Sequence, residues 1–138
     1  MKRYGMMIGL KAAAYDEYKR YHAAVWPEVL ATIEGCNIRN YTIYHHAGQL
    51  FGSYEYHGTD HAADMARMAA DPDTQRWWDI MNPMQTRIEG TPEGDWWMPL
   101  EEMFHFDGPA VTSGSEGESP DKSPEKSPDK PMDKSGGK

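Results

Sequence analysis

Between Tyr15 and Glu28 the chain reads YDEYKRYHAAVWPE. Tyr18 and His22 are four residues apart, so on a helix both side chains leave from one face. Trp26 follows one turn later and Pro27 comes directly after it. Histidine both gives and takes a proton near neutral pH without special tuning. Beside tyrosine and tryptophan it suits work on a sugar or another small polar ligand, because aromatic rings offer a flat apolar face with a polar tip. Tyr41, on a β-prone run, and the adjacent Trp77 and Trp78 are the aromatic residues a fold would have to bring to it. From spacing alone the blander reading stays open: most helical histidines lie on the surface or are satisfied in the core. The same holds for Trp77 and Trp78, since neighbouring helical positions point about 100° apart and one of the two would then be core.

Other chemistries fit these residues less well. His45 and His46 point to opposite faces of a strand, and the Gly58-Thr59-Asp60 stretch between His57 and His61 reads as a turn. No carboxylate or thiolate completes a ligand set, and no metal is expected. Glycosidase chemistry needs two carboxylates flanking one cleft, and Asp16, Glu17 and Glu28 qualify only by being near in sequence. Cys36 has no evident base partner, so a nucleophilic role is not expected.

The elements that must position these groups follow from local pattern. Arg3 to Leu10 is short, apolar and glycine-bounded, as a first strand would be. Ala12 to Tyr21 and Ala23 to Glu34 are helical, in two pieces meeting near Trp26, because Pro27 is tolerated only at the start of a new segment. Gly35 is the expected stop. Ile38 to His46 alternates, with Ile38, Asn40, Thr42 and Tyr44 on one side and Arg39, Tyr41 and Ile43 on the other. A short Ala47-Gly48-Gln49 connection then leads to Leu50–His57, which makes a hairpin. Asp60 to Ala70 has helical spacing. Asp71 caps a further helix with Pro72 first inside and Trp77 and Trp78 within it. Residues 82–99 read as loop, and Leu100 to Phe106 as the last strand. The order is βαββαβ, an α+β ferredoxin-like arrangement with an antiparallel sheet and helices on one face. The open face needs a cover, and a second copy in a homodimer is expected to supply it.

Composition bounds the rest. From Gly108 onward the chain is nearly free of apolar side chains and repeats a Ser-Pro-acid-Lys unit. Such a segment cannot bury enough surface to offset its ordering entropy. Residues 1–107 are therefore expected to be one domain and 108–138 a disordered tail, with Ser-Pro pairs at Ser119, Ser123 and Ser127. The 22 acids and 14 bases of the chain divide into 16 and nine before residue 108 and six and five after it, so the domain carries about −7. That charge disfavours a phosphate backbone, and nucleic acid is not an expected partner. One cysteine allows no intrachain disulfide and favours a reducing compartment. The opening MKRYGMMIGLKAAA imitates a secretory signal, but Lys11 interrupts the apolar run and an edge strand explains it better. No stretch approaches the ~20 apolar residues of a membrane span, so a cytoplasmic protein is expected.

Tyr18, His22, Trp26-Pro27-Glu28, then Asn40-Tyr41 on a strand, then Gln75-Arg76-Trp77-Trp78 stand in an order and separation that closely resemble the L-rhamnose mutarotase family. The resemblance runs from Arg3 to about Phe106. It implies a dimeric ferredoxin-like α/β fold, no metal or organic cofactor, and interconversion of the α and β anomers of L-rhamnose. By motif, His22 would be the catalytic proton donor, and Tyr18, Tyr41, Trp77 and Trp78 would line the sugar. Three stretches depart from the pattern: the HHAGQ turn, the tail, and GTPEGDWWMPL, whose Trp96 and Trp97 would reshape the mouth of the pocket. The departures leave L-fucose or another deoxy-aldose open as the substrate. Two other functions fit this strand order: a non-catalytic sugar-binding or regulatory module, and a cofactor-free oxygenase.

Overall fold

The strands and helices follow from where apolar side chains recur and where proline and glycine interrupt them. The computed structural model describes residues 1–109. Its elements are β1 (Lys2–Leu10), α1 (Tyr15–His22), α2 (Pro27–Gly35), β2 (Ile38–His46), β3 (Gln49–Tyr56), α3 (His61–Ala70), α4 (Pro72–Met81), β4 (Gln85–Thr86) and β5 (Met98–Leu100). Every strand pairing is antiparallel, in the order β2-β3-β1-β4, and β5 also pairs with β1. This is the expected ferredoxin-like α+β fold. Met1–Met103 form one unit. Phe104 opens another, in which His105 Nε2 lies 2.6 Å from Asp107 Oδ1. Apart from Gly108 and Pro109, the expected tail and its Ser-Pro pairs lie outside the described residues.

Register decides which side chains meet the helices. Tyr4, Met6 and Ile8 of β1 pair with Tyr54, Gly52 and Leu50 of β3. These residues share one sheet face because the strand period is two. Ile8 and Leu50 join Tyr18, Val29, Trp77 and Met81 in one buried cluster, so α1, α2 and α4 cover that end of the face. Tyr54, Tyr56, Ile38, Cys36 and Met68 form a second cluster under α3. At Gly52 the missing side chain leaves room for Met6 and Trp97, whose atoms lie 3.0 and 3.6 Å from where a Cβ would stand.

The connections largely follow their residues. Ala47 and Gly48 adopt φ of 49° and 77°, the pair of left-handed residues that a two-residue hairpin turn requires. The side chains of Asp60 and Asp71 accept from Ala63 N and Thr74 N, capping α3 and α4. Pro27 is the first residue of α2, with Trp26 before it.

Three expectations are corrected. Ala12–Ala14 is a 3-10 turn, α1 extends to His22, and residues 23–26 lie outside both helices, while Pro27 starts the second as expected. Gly35 ends α2 as expected, without a left-handed φ. That conformation falls on Asn37 (φ 68°), whose side chain donates to Asp64 Oδ2 at 3.0 Å. The alternation in β2 breaks between Arg39 and Thr42, where Asn40 and Tyr41 together oppose Tyr54. Asn40 takes φ 52° in this bulge and donates to Glu55 Oε1 at 2.9 Å. Tyr41 is thereby turned onto the helix-covered face, where its ring meets Tyr54 edge-on at 5.6 Å.

The last correction concerns the strand expected at Leu100–Phe106. The edge beside β1 is instead shared by two short pieces, β4 against Gly9 and Leu10 and β5 against Gly5 to Met7. β4 lies in the stretch expected to be loop. Past Leu100 a side-chain ion pair, Arg3 Nε to Glu102 Oε2 at 3.2 Å, follows the strand ladder. Met103, Phe104 and Phe106 remain exposed outside any strand.

Candidate active site

Helix α1 sets the site. Its outward face is charged, with Asp16, Glu17, Lys19 and Arg20 exposed, while Tyr18 is buried against the sheet. His22 lies one turn later at the C-terminal end. Its ring stacks on Tyr18 with centroids 4.4 Å apart and planes at 25°. His22 Nδ1 lies 2.9 Å from the Tyr18 carbonyl oxygen. A carbonyl only accepts, so Nδ1 carries the hydrogen and the neutral ring keeps its lone pair on Nε2. Burial holds the His22 pKa below the ordinary histidine value, opposed more weakly by that hydrogen bond. Near neutral pH the ring is therefore mostly a base, and Nε2 is the basic atom.

Trp77 forms a wall. Its indole meets His22 edge-on at 5.4 Å and also meets Trp26 and Tyr21, at 5.1 and 5.9 Å. It is buried, whereas Trp78, one position on, is 37% exposed. Trp78 makes no ring contact or side-chain hydrogen bond among the described residues. Tyr41 comes from the bulge across the sheet. Although 38% of its surface is open, protein crowds its hydroxyl. Burial, and then the neighbouring phenols of Tyr18 and Tyr54, push its pKa above the tyrosine range. The structure brings Tyr18, His22 and Trp77 into contact, Tyr41 meets Tyr54 on the same sheet face, and Trp78 is the more exposed of the two indoles.

One contributor was not legible in the spacing. Gln85 of β4 is buried and its Nε2–H donates to the Tyr18 hydroxyl at 2.9 Å. Trp96 Nε1–H donates to Gln85 Oε1 at 2.6 Å. Trp97 packs on the cluster that holds Tyr18 and Trp77. No periodicity marks Gln85; the signal was the indole pair of the departing GTPEGDWWMPL stretch.

The remaining candidates go elsewhere. His45 Nε2 accepts from Gly48 N, and His57 meets Glu55 at 3.1 Å. His61 stacks on Tyr4 and shares a 2.7 Å hydrogen bond with Tyr54. Glu17 lies 3.9 Å from Arg20, and Asp16 and Glu28 are exposed. Two concavities of about 340 and 280 Å³ lie beside Cys36 and beside His61, away from His22.

The family model for L-rhamnose mutarotase matches residues 3–106. An L-rhamnose mutarotase of Oceanobacillus iheyensis is 32% identical over 110 residues, covering 78% of this chain and all of the relative. That of Phocaeicola vulgatus is 33% identical over the same shares. Among solved structures, the L-rhamnose mutarotase of Formosa agariphila superposes with a TM-score of 0.61 at 22% identity, covering 78% of this chain and all of that one. The tetracenomycin F2 cyclase of Streptomyces glaucescens reaches 0.60 at 14%, covering 79% and all. At those identities the two structures share the fold. The sequence match over residues 3–106 carries the assignment: this chain belongs to the L-rhamnose mutarotase family.

Proposed function

We propose that the protein interconverts the α and β anomers of L-rhamnose, with His22 as the acid–base group and Tyr18, Tyr41, Trp77 and Trp78 lining the sugar. The observation that carries this reading is an imidazole fixed at Nδ1 by its own helix, with Nε2 left free beside the Tyr18 phenol and the Trp77 indole. Mutarotation needs little more. Neutral Nε2 takes the proton from the anomeric hydroxyl, the bond from C1 to the ring oxygen breaks, and the imidazolium returns the proton to that oxygen. The carbonyl carbon rotates and the same steps in reverse close the ring on its other face. O1 and the ring oxygen are both attached to C1, so one nitrogen can serve each in turn. Nothing is oxidised, no covalent adduct forms, and the chemistry asks for no metal or organic cofactor. Positioned acid–base catalysis of this kind contributes typically ~10²–10⁴ in rate.

Anomer exchange is read by saturation-transfer NMR on L-rhamnose mixed with the full chain, with L-fucose in parallel. Faster exchange than in buffer, greater for L-rhamnose and abolished in His22→Ala, is the expected result. Sugar binding without acceleration would make the protein a binding module; full activity in His22→Ala would remove the imidazole from the mechanism.

The reading extends to a homodimer in the cytoplasm. On the sheet face away from the helices, Tyr44, Phe51 and Leu100 are 66, 37 and 40% exposed, with Gly5 and Ser53 among them. An apolar sheet surface of this kind suits a two-fold copy of itself. The buried free thiol of Cys36 is compatible with a reducing compartment. Light scattering at micromolar concentration should give twice the chain mass; a monomer would contradict the dimer.

A further inference from the structure

Tyr18 is held by more than its helix. A chain of hydrogen bonds runs from the Trp96 indole to the Gln85 amide, and from that amide to the Tyr18 hydroxyl, at 2.6 and 2.9 Å. Its direction is fixed by chemistry. An indole N–H only donates, so it selects the amide oxygen of Gln85, and the amide must then present its N–H to the phenol. The Tyr18 oxygen accepts from Gln85, and its own proton is left for another partner. Gln85 is 6% exposed, so water does not compete freely for the amide.

We propose that Gln85, oriented by Trp96, is a positioning residue that aims the Tyr18 O–H at the sugar oxygen on which negative charge develops as the ring opens. The inference rests on the mutarotase reading and adds the arrangement by which Tyr18 serves it. No proton leaves Tyr18. The proton of O1 goes to His22 Nε2, the bond from C1 to the ring oxygen breaks, and that oxygen receives the proton from Nε2. Meanwhile the phenol lends a hydrogen bond to the anionic oxygen. Burial raises the Tyr18 pKa and keeps the phenol protonated, while the Gln85 bond pulls the other way and so polarises the O–H. A donor of this kind, preorganised in a water-poor site, is worth more than it would be in water. Without Gln85 the phenol could turn and spend its proton elsewhere; without Trp96 the amide could flip and become an acceptor.

The test is a double-mutant cycle on anomer exchange in the full chain, with kcat and KM measured separately. Gln85→Met, close in shape but without the donor, is expected to lower kcat about tenfold with KM within ~3-fold. In a Tyr18→Phe background the same change should cost less than ~2-fold, because its effect passes through the missing hydroxyl. Trp96→Phe, at a partly exposed position, should lower kcat ~3-fold and likewise lose its effect beside Tyr18→Phe; it carries the test if Gln85→Met fails to fold. Equal losses in the two Tyr18 backgrounds, or a loss confined to KM, would overturn the positioning role while leaving the mutarotase reading intact. No acceleration by the unaltered chain would overturn both.

Discussion

Two imidazoles of this chain stack on tyrosine rings, and they differ in what their outer nitrogens meet. His22 lies 4.4 Å from the Tyr18 ring and His61 lies 4.0 Å from the Tyr4 ring, with planes at 25° and 11°. Burial lowers both pKa values, and at His61 the Lys2 charge adds to the effect. What separates them is the outer nitrogen. His61 Nε2 is occupied by the Tyr54 hydroxyl at 2.7 Å. His22 uses Nδ1 on a backbone carbonyl and leaves Nε2 free. Stacking and a depressed pKa are common to a structural histidine and a reactive one; an unspent lone pair is not.

The comparison breaks first at its two histidines. His22→Ala should lower anomer exchange at least ~10²-fold. His61→Ala should leave kcat within ~3-fold and instead reduce stability by about 1 kcal/mol in urea denaturation, the usual net worth of a lost hydrogen bond. Equal effects on exchange would erase the distinction.

A subtler test lies in the bulge. Asn40 sits at φ 52°, a conformation that asparagine tolerates and a β-branched residue does not. Asn40→Val should cost about 1–2 kcal/mol of stability and raise KM for the sugar several-fold as Tyr41 shifts, whereas Asn40→Gly should keep KM near the original. A smaller effect is expected from Tyr54→Phe. It frees His61 Nε2 without supplying walls for a substrate, so it should reduce stability by about 1 kcal/mol and leave exchange unchanged. Gained or lost activity there would draw His61 into the mechanism.

Much of this was readable from the chain because local rules agreed with the global fold. The four-residue spacing of Tyr18 and His22 gave a shared helix face, and Pro27 and Asp71-Pro72 marked the helix starts. Where the reading failed, a tertiary choice overrode a local rule. Strict alternation put Tyr41 opposite Ile38, and one extra residue at Asn40 moved it to the helix-covered face. The apolar run after Leu100 looked like a strand, yet the edge of β1 was already met by two shorter pieces. Gln85 could not be foreseen, since its role depends on a contact with Tyr18 across 67 positions in sequence. The indoles at Trp96 and Trp97 were visible, but not that one of them would steer an amide.

The central claim is that neutral His22, through Nε2, is the base that opens the sugar ring. The direct measurement is the pH dependence of L-rhamnose anomer exchange, set beside the NMR titration of the His22 imidazole. A pKa lowered by burial makes the neutral form persist to more acid pH. Exchange should therefore hold through pH 6.5, the ordinary histidine value, and fall by up to tenfold per pH unit below a midpoint that coincides with the His22 titration. Exchange that stays flat through that titration, or rises as the imidazole gains its proton, would contradict the account.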